Sequence, residues 1–100
     1  MTTLHLLARG PDADTLQQCR QLCTPGDSIL LLEDGIYLAG RLLTVDPATQ
    51  VPDCGAWYAL APHVRERGLA DHLHGRVQLV DYDGFVRLAA EHARVVSWYR

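Results

Sequence analysis

The sequence predicts a single three-layer α/β/α domain built on a five-stranded, mostly parallel sheet. Three observations carry that expectation. The chain has 100 residues and is 48% hydrophobic, enough for one domain with a real core. Its short apolar runs alternate with helical patterns in the order β-α-β-α-β-α-β-α-β, the mark of a parallel sheet covered by helices on both faces. The run Ser28-Ile29-Leu30-Leu31-Leu32 is continuously apolar rather than alternating, as a strand covered on both sides requires. No repeat, linker or low-complexity segment divides the chain, so one domain is expected over residues 1–100.

The elements follow in order. TTLHLLA at 2–8 is the first strand, broken by Gly10 and Pro11. Asp12 or Asp14 caps a helix running to about Cys23, and Thr24-Pro25-Gly26-Asp27 is a stop and turn. The second strand, 28–32, ends at Glu33-Asp34-Gly35, and Ile36 to Leu43 is weakly helical. TVDPATQVPDC at 44–54 reads as loop. GAWYALA at 55–61 is the third strand, and Pro62 opens a short helix that Gly68 closes. RVQLV at 76–80 is the fourth strand. DYDGFVRLAAEH at 81–92 is a helix with Phe85, Leu88, Ala89 and His92 on one face, and VVSWY at 95–99 is the last strand.

Composition excludes several functions. The formal net charge is −3, and the nine basic residues, all Arg, are spread along the chain. Direct nucleic-acid binding needs a concentrated cationic surface, so it is not expected. No Lys is present, which removes a phosphate-loop lysine, a Schiff base and a receiver-type phosphorylation site. No apolar run approaches the ~20 residues that span a bilayer, and MTTLHLLARGPDAD turns polar too soon for a secretory signal. Three cysteines without framework spacing point to a reduced, cytoplasmic setting.

Ligands of open α/β sheets bind at the carboxyl ends of the strands. Those ends carry Arg9-Gly10-Pro11, Glu33-Asp34-Gly35, Pro62-His63 and Asp81-Tyr82-Asp83-Gly84. None pairs a Cys or Ser with a base, and no Gly-rich phosphate loop is present. Glu33, Asp34, Asp81 and Asp83 could hold Mg²⁺, but each precedes a helix, so capping is the expected role. Cys19 and Cys23 stand four apart, one helical turn. Both fall on the apolar side of the projection with Ala13, Leu16 and Leu22, so packing is expected, with Cys19 nearer the polar border and the more reactive thiol. A bond between them would be strained on a helix, and two thiols make half a zinc site. Cys54 is expected to be an exposed bystander. His72 and His74 form an H-x-H too small for a metal site alone. His5 and His92 are expected at the core edge, and Trp57, Tyr58, Trp98 and Tyr99 mostly in the core. No cofactor and no metal are expected.

Five blocks resemble the TusB/DsrH family: Leu4-His5, LLLEDGIY at 30–37, ALAPHVRERGL at 59–69, VDYDGFVRLAAEH at 80–92 and SWY at 97–99. They occur in the family's order over nearly the full length. The resemblance implies a DsrEFH-like fold and a cytoplasmic subunit of a sulfur relay. Such a subunit assembles with TusC-like and TusD-like paralogues as a dimer of heterotrimers. Persulfide sulfur then passes through the TusD-like subunit to a downstream acceptor protein, for 2-thiolation of the wobble uridine in tRNA. The family's principal sulfur-carrying cysteine follows the third strand of the TusD/DsrE-type subunit, where this chain has Pro62-His63-Val64. The resemblance therefore implies a non-catalytic or auxiliary subunit. DsrH-like members carry a cysteine matching Cys19, which makes it the candidate auxiliary sulfur acceptor. A DsrH-like subunit of a sulfur-oxidation DsrEFH complex is the first alternative. A small metal-binding or regulatory α/β module using His72, His74 and a cysteine is the second.

Overall fold

The computed structural model describes residues 2–8, 19, 21–37, 55–71 and 77–98. The strands are β1 (Thr3–Leu7), β2 (Asp27–Leu31), β3 (Gly55–Leu60), β4 (Val77–Val80) and β5 (Arg94–Trp98). A 3-10 helix spans Glu33–Tyr37, and two α-helices follow, α1 (Ala61–Glu66) and α2 (Tyr82–Glu91). All five expected strands form, within one or two residues of the expected bounds. They make one sheet in the order β4-β3-β2-β1-β5, and every neighbouring pair is parallel.

Strand order explains why both faces are covered. Parallel crossovers are right-handed. The connections stepping outward from β1 to β4 therefore cover one face, and the return from β4 to β5 covers the other. The core divides accordingly. On the first face Leu7, Ile29, Leu31 and Trp57 pack with Cys19, Ile36 of the 3-10 helix and Val64 of α1. On the second, Leu4, Leu6 and Leu30 pack with Leu88, Phe85 and Ala89 of α2, the face expected for that helix. The central strands β1 and β2 are buried at every position, whereas the edge strands β4 and β5 are largely exposed.

Local chemistry sets the element ends. Asp81 caps α2, its Oδ1 accepting from Gly84 N–H at 2.8 Å, which realises the capping expected of that carboxylate. Gly68 ends α1 at φ 65. Gly68 N–H donates to the Arg65 carbonyl and Leu69 N–H to the Val64 carbonyl, each at 3.1 Å, and Leu69 packs against the cluster containing Val64. That is a Schellman termination with its hydrophobic contact.

Several expectations change. Glu33-Asp34-Gly35, read as a stop, forms the first turn of the 3-10 helix. Ala61 belongs to α1 because Pro62 takes its second position, where no N–H is needed. Cys19, Gln21 and Leu22 are helical as expected, but Leu22, expected on the buried side, is 61% exposed. The loop at 44–54 with Cys54, the His72 and His74 pair, and Tyr99 lie outside the described residues.

The 3-10 helix approaches β1 closely at Gly35. A Cβ there would sit 1.8 Å from the Leu7 carbonyl oxygen, which is backbone and cannot step aside. Gly35→Ala is predicted to destabilise the domain by about 1–3 kcal/mol in urea unfolding.

Candidate functional site

The carboxyl edge of the sheet gathers the only open constellation of polar side chains at the expected ligand position among the described residues. The connection after β3 enters α1, against the first face; the connection after β4 enters α2, against the second. β3 and β4 are adjacent. Their loops thus diverge to opposite faces, the topological switch point at which α/β sheets bind ligands.

His63 and Tyr82 meet across that divergence. Glu33 N–H donates to His63 Nδ1 at 2.8 Å. A backbone N–H can only donate, so Nδ1 is the acceptor and the ring proton sits on Nε2. His63 Nε2 then donates to the Tyr82 hydroxyl at 3.3 Å, with the rings edge to face at 81°. Arg67 braces the group: Nη1 donates to the His63 carbonyl at 3.3 Å, and Nη2 reaches Asp34 Oδ1 at 3.2 Å. Glu33 holds φ 51, a left-handed conformation costing about 1–2 kcal/mol in a non-glycine residue.

The amino end of the sheet is closed instead. Asp27 is 2% exposed. Its Oδ1 accepts from Thr3 N–H at 2.9 Å, and its Oδ2 accepts from Thr24 N–H at 3.1 Å and His5 Nε2 at 3.0 Å. Trp98 Nε1–H donates to His5 Nδ1 at 3.2 Å, which places the His5 proton on Nε2. Burial alone would push the Asp27 carboxyl up. The hydrogen bonds from His5, Thr3 and Thr24 outweigh it and bring the value down to about 2. His5, expected at the core edge, is thus fully interior. His92, as expected, is half-buried, linking the Leu88 carbonyl to Ser28 Oγ.

Cys19 lies at this closed end, with no exposed surface. Burial first, and the Asp27 carboxylate second, push its thiol up to about 12. Persulfide chemistry needs an accessible thiolate, and this environment supplies neither accessibility nor ionisation. The expected order of the two cysteines is reversed, since Cys23 is the partly exposed one. The expected reduced state is also not what the structure shows, because Cys23 is disulfide-bonded. Cys19 is a free thiol, so that bond is not the strained one within the helix.

Ligand atoms of His5, Cys19 and Cys23 lie within 4.8 Å of one another, metal-like proximity. Both His5 nitrogens are committed to Asp27 and Trp98, Cys19 holds its proton, and Cys23 is bonded. The set does not fit a metal ion. Of the acidic residues considered for Mg²⁺, Asp34 pairs with Arg67 and Asp81 caps α2. The sequence names His63 and Tyr82 at strand ends but carries no sign that they meet, because the pairing depends on strand order.

Comparison with known proteins adds the relationship. A family model described as DsrH like protein matches residues 9–95. A protein named TusB from Photorhabdus laumondii is 32% identical over 95 residues, covering 95% of this chain and 99% of the relative. TusB proteins from Pectobacterium atrosepticum and Klebsiella pneumoniae are each 33% identical, with the same coverage. No helix among the described residues is long and apolar enough to cross a membrane.

Two outcomes are expected. Native Cys19 reacts with iodoacetamide at pH 8 at least about a hundredfold more slowly than in urea, as mass mapping of the alkylated peptide would show. The depressed Asp27 value means its stabilisation is complete above the ordinary 3.8 and is lost as pH falls through about 2. Urea midpoints should therefore fall over that acid interval. In Asp27→Asn the Asp27 part of the fall disappears, and the variant is about 2–3 kcal/mol less stable at pH 7.

Proposed function

The chain belongs to the DsrH-like family, and from that premise we propose that it is an assembly subunit of a cytoplasmic sulfur relay. Its role is to seat a persulfide-carrying partner. Its partners are TusC-like and TusD-like paralogues in a dimer of heterotrimers, and the sulfur leaves through the TusD-like subunit to a downstream acceptor. The matched relatives carry the TusB name over almost their whole length, which supports 2-thiolation of the wobble uridine in tRNA as the pathway.

One observation carries the assembly role: chemistry and thiol are at opposite ends. The open carboxyl edge presents His63, after the third strand, where the resemblance puts a carrier subunit's cysteine, and Cys19 is sealed at the amino end beside Asp27. This supports a reading in which the relay's sulfur is carried mainly on a partner. Cys19 serves packing first and is at most an auxiliary acceptor.

The test is native and denaturing mass spectrometry of the chain captured from its own host under non-reducing conditions. Two small paralogues in the assembly, with extra sulfur on a partner alone, are expected. Extra sulfur on Cys19 with none on any partner would overturn the assignment. Cys19→Ser should leave the assembled mass unchanged and lower sulfur transfer less than about threefold. Complete loss of transfer from an intact complex would make Cys19 a working carrier.

A further inference from the structure

The Tyr82 hydroxyl is 3.3 Å from His63 Nε2 and belongs to a side chain 55% exposed, at the switch point between β3 and β4. Its oxygen accepts the His63 proton, so its own O–H is directed elsewhere, and among the described residues that O–H has no acceptor. A hydroxyl that accepts one hydrogen bond donates a second more strongly. His63 cannot switch roles without losing the Glu33 N–H bond. The assembly is a fixed donor facing outward at the ligand edge.

We propose that Tyr82, oriented by His63, donates a hydrogen bond to the terminal sulfur of a persulfide held on a cysteine of a partner subunit. The proposal rests on the sulfur-relay reading above. Three features select that acceptor. The donor is an O–H, so its ligand must be an acceptor, and a persulfide anion is one. Neither Cys19 nor Cys23 can supply the sulfur, since both sit at the amino end with His5. Small free anions are disfavoured by the rim, where Glu33 and Asp83 remain exposed, although Asp34 is paired with Arg67 and Asp81 is tied to Gly84. A sulfur delivered on a protein carrier is held there by the rest of the subunit contact. Tyr82 makes and breaks no covalent bond; it stabilises the anionic sulfur. His63 is a positioning residue, acting through Tyr82.

The test uses the complex purified with its partners from the host. Tyr82→Phe removes only the exposed hydroxyl. His63→Asn keeps an acceptor near Nδ1 for the Glu33 N–H and removes the Nε2–H donor. Transfer of radiolabelled sulfur should fall roughly three- to tenfold in each, with native mass unchanged. The double variant should fall no further than Tyr82→Phe alone. Alkylation of the partner's sulfur-bearing cysteine should shift to higher pH in Tyr82→Phe, a change that a merely structural role would not produce. Wild-type transfer and an unshifted alkylation profile in an intact, sulfur-loaded complex would overturn the proposal and leave the relay reading standing. A wild-type complex with no sulfur-bearing partner would overturn the relay reading and the proposal with it.

Discussion

A carboxylate buried without a cation is the constraint around which this domain is organised. Asp27 opens β2 at 2% exposure, and the partner nearest to a cation, His5, is a neutral imidazole. An unpaired buried charge is among the costliest features a fold can contain. It is tolerated here because the charge is spread over three donors from two elements. The Thr3 N–H comes from β1, the Thr24 N–H from the turn before β2, and the His5 Nε2–H from β1 again, with Trp98 of β5 holding the ring. One side chain thereby joins the turn, the two central strands and, through Trp98, an edge strand. No buried side-chain nitrogen or oxygen is left without a partner among the described residues.

That arrangement separates the two ends of the sheet chemically. The amino end is buried, its polar side chains are hydrogen-bonded and it is charged negatively inside, conditions that keep a neighbouring thiol protonated. The carboxyl end is open, and its polar groups come from loops that follow three different strands. The same imidazole chemistry serves opposite purposes at the two ends. His5 donates its N–H hydrogen bond inward to a buried carboxylate, and His63 donates its own outward to an exposed phenol. In each case the other ring nitrogen accepts from a group that can only donate, so the direction is fixed by geometry.

The blocks that relate this chain to its family have identifiable physical work at that open edge. In LLLEDGIY, Glu33 turns the backbone and Gly35 lets the 3-10 helix lie against the Leu7 carbonyl. In VDYDGFV, Asp81 and Gly84 close the cap that starts α2 and presents Tyr82. In ALAPHVRERGL, Pro62 starts α1, Arg67 braces it and Gly68 ends it. Among the described residues each motif contributes to the polar group at the carboxyl edge.

Much of the fold was legible in the sequence, because strands, helices and their stops are written in local chemistry. Continuous apolar runs marked strands covered twice, Pro62 and Gly68 bracketed α1, and the spacing of Phe85, Leu88 and Ala89 marked the buried face of α2. Asp27 looked like turn punctuation, and nothing local distinguishes a solvated turn aspartate from one folded beneath its own strand. Cys19 and Cys23 were ranked the wrong way because a helical projection gives the angle around a helix but not what the fold packs over it, and Cys19 is buried in the cluster of Leu7, Ile29 and Val64. The sequence by itself determined the elements, their parallel pairing and the absence of catalytic pairs within any one segment. Only the tertiary structure decided which loops meet. Strand order is set by long-range packing and crossover handedness, so His63 and Tyr82, 19 residues apart, become neighbours.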